Sequence, residues 1–198
     1  MVNRADNKTF EVTSGVLVAS DPCYTVPTWC MGIIKNVKKG TWLAEVTKSD
    51  EGDWGNRVAV LRIEHINAKR TYITEQVDME GGVDSGQFGF IDKDFYRNDE
   101  AAKDLKQYDF GGDYDRSEEG EKWYRTCCNL TLNDESWGVL PQGVVSSSGF
   151  GDGSYPVFGE KDENGEWVVF EVIFIDEGGE LDEDEDDYDG ESDDYFVS

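Results

Sequence analysis

Along much of this chain hydrophobic and polar positions alternate with a period of two. Gly40 to Thr47 sets Trp42, Ala44 and Val46 on one side of an extended segment, and Arg57 to Ile66 carries Val58, Val60, Leu61, Ile63 and Ile66 between polar neighbours. Phe10 to Ala19 is dense in Val and Thr. Successive side chains of a strand point to opposite faces, so each segment predicts a half-buried β-strand. The clearest pairing lies near the end, where Ser154 to Glu160 and Glu166 to Ile175 flank Asp162-Glu163-Asn164-Gly165. Asn-Gly supplies the left-handed residues that a tight hairpin turn needs. In the second strand of that hairpin Val168, Phe170, Val172 and Phe174 form the purer apolar face.

One stretch predicts helix: Asp99 to Lys106 is made of good helix formers, with Glu100 three residues before Lys103. The segment through Trp123 reads as a further strand, reached from that helix by a long polar connection, Tyr108 to Glu121. One short helix among about eight strands predicts a mainly β fold, an antiparallel sandwich or a partly open barrel.

Composition redraws the C-terminal end. The 198 residues hold 44 Asp and Glu against 18 Lys and Arg, a net charge of -26. Thirteen of the acids and none of the bases fall in 176–198, which leaves residues 1–175 at -13. The expected organisation is a β-rich globular domain over 1–175 and an acidic tail over 176–198. The run Asp182-Glu183-Asp184-Glu185-Asp186-Asp187 repels itself and has nothing to bury, which predicts disorder when free. Tyr188, Tyr195 and Phe196 add apolar anchors to it, so the tail reads either as a segment that folds on a basic partner or as a solubility tail.

The same charge opposes direct binding to nucleic acid or to an anionic membrane. Basic proteins, cations and small ligands remain as partners. The start, MVNRADNKTF, has no apolar core, and the most apolar stretch, Val168 to Ile175, is short and interrupted by Glu171. Neither a signal peptide nor a membrane span is expected. Cys23, Cys30, Cys127 and Cys128 then read as reduced thiols in a cytoplasm. Their spacing lacks the short knuckle that places two thiolates on one zinc, and they read as small buried hydrophobes.

Few residues point to catalysis, and no cofactor is expected. The one histidine, His65, lies in a strand-like run with no flanking motif. Carboxylate pairs suit acid–base chemistry, but among 44 acids close pairs arise by chance. Asp109, Asp113, Asp115, Glu118 and Glu119 cluster in the long connection without the spacing of a calcium-binding EF-hand. Ser146 to Pro156 is rich in Gly and Ser, yet it leads into a strand, whereas a phosphate-cradling loop opens a helix. It reads as an anion-binding nest or as a tight connection that needs glycines at positive φ. Ser20 to Tyr24 and Val83 to Gly89 place Asp, Ser and Gln at turns, as site residues or as local turn-formers.

Five blocks carry a resemblance: GVLVASDPCY at 15–24, Trp29-Cys30, Asp53 to Ala59, VDSGQFGFID at 83–92 and SSSGFGDGSYPVF at 146–158. Together they resemble a family of proteins of unassigned function carried by tailed bacteriophages and some bacteria. The resemblance covers Gly15 to about Ile175 and implies a phage protein acting in a host bacterial cytoplasm. It marks Asp21, Asp84, Ser85, Gln87, Gly151, Asp152 and Gly153 as the positions of one possible ligand-binding pocket. The leading expectation is a non-enzymatic accessory protein that binds and modulates a host protein with a basic, nucleic-acid-binding surface. The acidic surface and Asp182 to Tyr188, Tyr195 and Phe196 would make the contact as a partial DNA mimic. Two alternatives stand beside it: a β protein that binds or degrades a small ligand or nucleotide signal to counter host defence, and a minor virion protein.

Overall fold

A computed structural model describes residues 8–69, 75–111 and 118–176. In chain order the elements are β1 (Lys8–Val12), β2 (Val16–Ser20), β3 (Gly32–Lys35), β4 (Gly40–Asp50), β5 (Asn56–His65), β6 (Glu75–Val83), β7 (Gln87–Asp92), α1 (Asp99–Ala102), α2 (Glu121–Thr131), β8 (Trp137–Leu140), β9 (Gly143–Ser147), β10 (Gly153–Lys161) and β11 (Trp167–Ile173). They form two antiparallel sheets, one ordered β1-β4-β5-β11-β10-β6 and the other β3-β2-β7-β9-β8.

The alternation in the sequence becomes the core between the sheets. Trp42 and Ala44 of β4, Leu61 and Ile63 of β5, and Phe170 and Val172 of β11 meet Leu17, Phe88, Phe90 and Val144 of the facing sheet. Phe170 bridges the layers, with its ring stacked on Phe90 at 5.7 Å and on Trp42 at 6.1 Å. Offset stacking of this kind adds to the burial of large aromatic area. The predicted hairpin is β10–β11, closed over Gly165 at φ +78°.

The five-stranded sheet is also covered on its other face. Val18, Ile91 and Val145 pack there against Phe95, Tyr96, Trp123 and Cys127. Every residue of β7 is therefore buried, and the layers run sheet, sheet, helix. At the flanks the sheets touch edge to edge: Gly82 N–H donates to Cys30 O at 3.1 Å on one side, and Glu11 N–H donates to Pro141 O at 3.0 Å on the other. The sandwich is thus pinched toward a barrel at both seams.

Two local expectations differ from the structure. Phe10 to Ala19 is not one strand; it breaks at Thr13–Gly15 and sends β1 and β2 into different sheets. The break is held from a distance, since Asp92 Oδ2 accepts the N–H groups of Thr13 at 2.6 Å and Ser14 at 2.8 Å. The segment around Trp123 is not a strand but the eleven-residue helix α2, while the expected helix shrinks to the single turn α1. Aromatic and β-branched residues lower the helix propensity of EKWYRTCCNLT, but Trp123, Cys127 and Leu130 recur at three- and four-residue spacing and bury one stripe on the sheet.

The close approach of β7 and β9 requires glycine at position 89. A Cβ there would stand 2.5 Å from Val144 O and 2.8 Å from Ile91 Cδ1, and a neighbouring strand's carbonyl cannot retreat without breaking its ladder. Gly89→Ala is expected to lower unfolding free energy by about 3 kcal/mol, read as a drop in the urea midpoint at unchanged slope.

Candidate functional site

Three connections meet at one end of the five-stranded sheet: the segment after β2, the turn between β6 and β7, and the loop between β9 and β10. Asp21 ties the first two together. Its side chain is fully buried, with Oδ2 accepting from Asp84 N at 2.9 Å and Ser85 N at 2.6 Å. Oδ1 accepts from Ser85 Oγ at 2.6 Å and Cys23 N at 2.8 Å. Half of this was legible as a local turn, with the Asp side chain capping an amide two residues on. The other half joins residues more than sixty positions apart.

From Ser85 the polar chain continues inward. Gln87 Nε2 donates to Ser85 Oγ at 3.2 Å and to Tyr124 Oη at 3.4 Å, and Gln87 Oε1 accepts from Thr131 Oγ1 at 2.8 Å. Cys128 Sγ lies 3.6 Å from the same amide nitrogen. Tyr124, Cys128 and Thr131 share one face of α2 and were missed in the sequence because that segment reads as a strand. Their spacing of four and then three residues was the available signal. Tyr96, from the connection after β7, donates to Asp21 O at 3.1 Å and Tyr24 O at 2.8 Å, and Arg97 reaches Cys23 O at 3.3 Å.

The third connection adjoins the turn. Ser148 N–H donates to Gly86 O at 3.1 Å, and Gly153 pairs with Val83 in the β10–β6 ladder. Gly86 and Gly151 sit so close that a Cβ on Gly86 would lie 3.9 Å from Gly151 Cα. Within the loop, Gly151 O accepts from Ser148 Oγ at 2.9 Å and Tyr155 Oη at 2.8 Å. Asp21, Asp84, Ser85, Gln87, Gly151, Asp152 and Gly153 therefore belong to adjoining connections at one end of the fold. Asp84 and Asp152 are exposed there, Ser85 is half-buried, and Asp21 and Gln87 are buried.

The electrostatics favour neutral thiols and phenols. Burial, aided by the Asp21 charge, pushes the Cys23 thiol up to about 12. Burial likewise raises Cys127 and Cys128, and the phenols of Tyr24, Tyr96 and Tyr124. Thiolate is the reactive form of cysteine, so Cys23, Cys127 and Cys128 are poor nucleophiles near neutral pH. The four donors on Asp21 occupy the lone pairs that a general base would use. The arrangement clamps loops. Among the described residues no group of three or more His, Cys, Asp or Glu is placed to hold a metal ion.

His65 stands apart at the end of β5, buried and edge-on to Trp42 at 5.8 Å. Its Nδ1 accepts Asn67 N–H at 3.2 Å, so Nε2 carries the proton and donates to Lys39 O at 3.2 Å. Of the acidic loop, Asp109, Glu118 and Glu119 are described, and Asp113 and Asp115 lie outside the described residues. So do Asp182, Glu183, Asp184, Glu185, Asp186, Asp187, Tyr188, Tyr195 and Phe196, the expected partner-binding set. No helix among the described residues is long and apolar enough to cross a membrane.

The loops carry large apolar groups into solvent. Trp54, in the turn between β4 and β5, is 68% exposed, and Phe150, in the β9–β10 loop, is 57% exposed. Their rings meet edge to face at 6.5 Å. The exposed acids Asp53 and Asp152 are their neighbours in sequence.

The chain belongs to the family described as protein of unknown function (DUF4241), whose model matches residues 10–172. Neither a curated protein nor a solved structure matches it.

Two expectations follow. Asp21→Ala removes the acceptor of three backbone amides and should cost about 3 kcal/mol of stability, whereas Asp152→Ala, on an exposed loop, should change it by less than about 0.5 kcal/mol; parallel urea titrations compare them. For His65, burial holds the folded pKa below its ordinary 6.5, so the unfolded chain binds the proton more readily. This contribution should be full well above that value and be lost as the pH falls through it toward the lower folded pKa, and His65→Phe should flatten that part of the profile.

Proposed function

We propose that this member of the DUF4241 family is a binding protein that captures a basic protein partner, with no catalytic step of its own. The observation that supports it is the exposed Trp54–Phe150 pair, carried on turns that also hold the exposed Asp53 and Asp152. Aromatic side chains left in water on a fold with a full core suit a protein–protein contact, where Trp and Tyr dominate binding energy. The chain's charge of -26 supplies long-range attraction toward a basic surface, including one that otherwise holds nucleic acid. The clamp around Asp21 fits this reading, because the turn it fixes adjoins the loop that carries Phe150. In the setting that the sequence resemblance implies, the protein is a phage accessory factor and its partner a host protein, with residues 176–198 adding acidic contacts.

The test is capture from bacterial lysate on three immobilised forms: the full chain, the chain ended at Ile175, and Trp54→Ala. A basic partner should elute as salt rises and the Debye length shrinks from about 10 Å at 0.1 M to about 3 Å at 1 M. Trp54→Ala should weaken capture by more than about tenfold, as loss of a central aromatic does. Capture that ignores salt and survives both changes would sink the reading.

A further inference from the structure

A second aromatic feature lies where the edge strands β3 and β6 adjoin. At Gly82 the seam is shut by the hydrogen bond to Cys30 O. Further back along β6 it opens into a cleft of about 620 Å³ lined by Trp29, Gln76, Val77, Asp78 and Met79.

The cleft has a local cause in the strand register. β10 pairs Pro156 with Glu80 and Phe158 with Gln76, so Val77, Asp78 and Met79 stand against Val157 alone. Proline has no N–H to give the ladder, and the excess residues bulge. A bulge re-aims side chains and frees backbone groups, here on the terminal strand of the six-stranded sheet. Over it stands Trp29, 87% exposed, the most exposed large apolar side chain among the described residues. Met79 closes the inner side, with its sulfur against Gly32, where a Cβ would lie 2.1 Å away.

We propose that this cleft seats an arginine side chain carried on an extended segment of the basic partner. The guanidinium lies on the Trp29 indole and pairs with the Asp78 carboxylate, while its stem runs over Val77 and Met79. Among the described residues, those lining the cleft pair an exposed π-face with a carboxylate and contribute no basic group. A planar, weakly hydrated guanidinium satisfies both at once, and an ammonium does so less well. A volume of about 620 Å³ exceeds one side chain, so flanking residues of the segment enter too, along a strand edge able to accept an extended chain.

The assignment rests on the reading of the protein as an acidic binding module and is tested separately from it. Two labelled peptides of equal length, one alternating arginine with valine and the other lysine with valine, are titrated with the full chain at one salt concentration. The arginine peptide should bind roughly tenfold tighter, and Trp29→Ala and Asp78→Asn should each remove most of that preference. Trp29 is almost wholly exposed, so its replacement should leave the melting temperature unchanged. Trp54→Ala should leave the arginine preference intact. Equal binding of the two peptides, or a preference that survives Trp29→Ala, overturns the assignment. Salt-sensitive lysate capture alongside that result would leave the binding-module reading standing and remove the cleft from it.

Discussion

Two buried carboxylates, one at each end of the β2–β7 pair, are the constraint on which this architecture depends. The five-stranded sheet is covered on one face by the second sheet and on the other by α2, and a fully buried carboxylate lies at each end of it. Backbone amides there still need acceptors. Asp92, at the end of β7, takes the N–H groups of Thr13, Ser14 and Asp94. Asp21, just past β2, takes those of Cys23, Asp84 and Ser85. Each carboxylate replaces water for three amides, and each joins chain segments distant in sequence. Replacing either by an apolar residue takes the side-chain acceptor away from three backbone amides at once.

This constraint explains why the adjoining connections are ordered although they contain Gly86, Gly149 and Gly151, all at positive φ. Glycine lets the backbone turn and lets Gly86 approach Gly151, but it also gives the unfolded chain more freedom to lose. The Asp21 clamp and the Tyr155 bonds to Ser148 O and Gly151 O offset that loss locally. Phe150 is therefore presented from a fixed loop. A pre-ordered aromatic binds with less entropic penalty than one on a mobile segment.

How much of this was legible in the sequence follows the range of the interaction concerned. The alternation over Gly40 to Thr47 and the Asn164-Gly165 hairpin are local, and both appear as read. The division of Phe10 to Ala19 was not legible, because the acceptor that breaks it, Asp92, lies about eighty positions on. The Trp123 helix was misread for another reason: its composition favours strand, and only its spacing favours helix. At the candidate site the turn residues Asp21, Asp84 and Ser85 stood out as Asx and Ser signals. Their partners Tyr124, Cys128 and Thr131 were hidden with the helix that carries them. Exposure of Trp29 and Trp54 has no signature at all in a single sequence, since a tryptophan reads as core wherever it falls.

The two exposed aromatic features share a chemistry that the net charge alone does not have. A dispersed acidic surface attracts any basic partner and is screened by salt, which gives fast encounter and little selectivity. Trp29 lines one cleft with Asp78, and Trp54 meets Phe150, whose loop also carries the exposed Asp152. Such combinations distinguish a stacked guanidinium from a hydrated ammonium and a shaped surface from a merely charged one. On the proposed reading the division of labour is physical: net acidic charge would set how often a basic partner arrives, and a few exposed aromatic groups would set which partner stays.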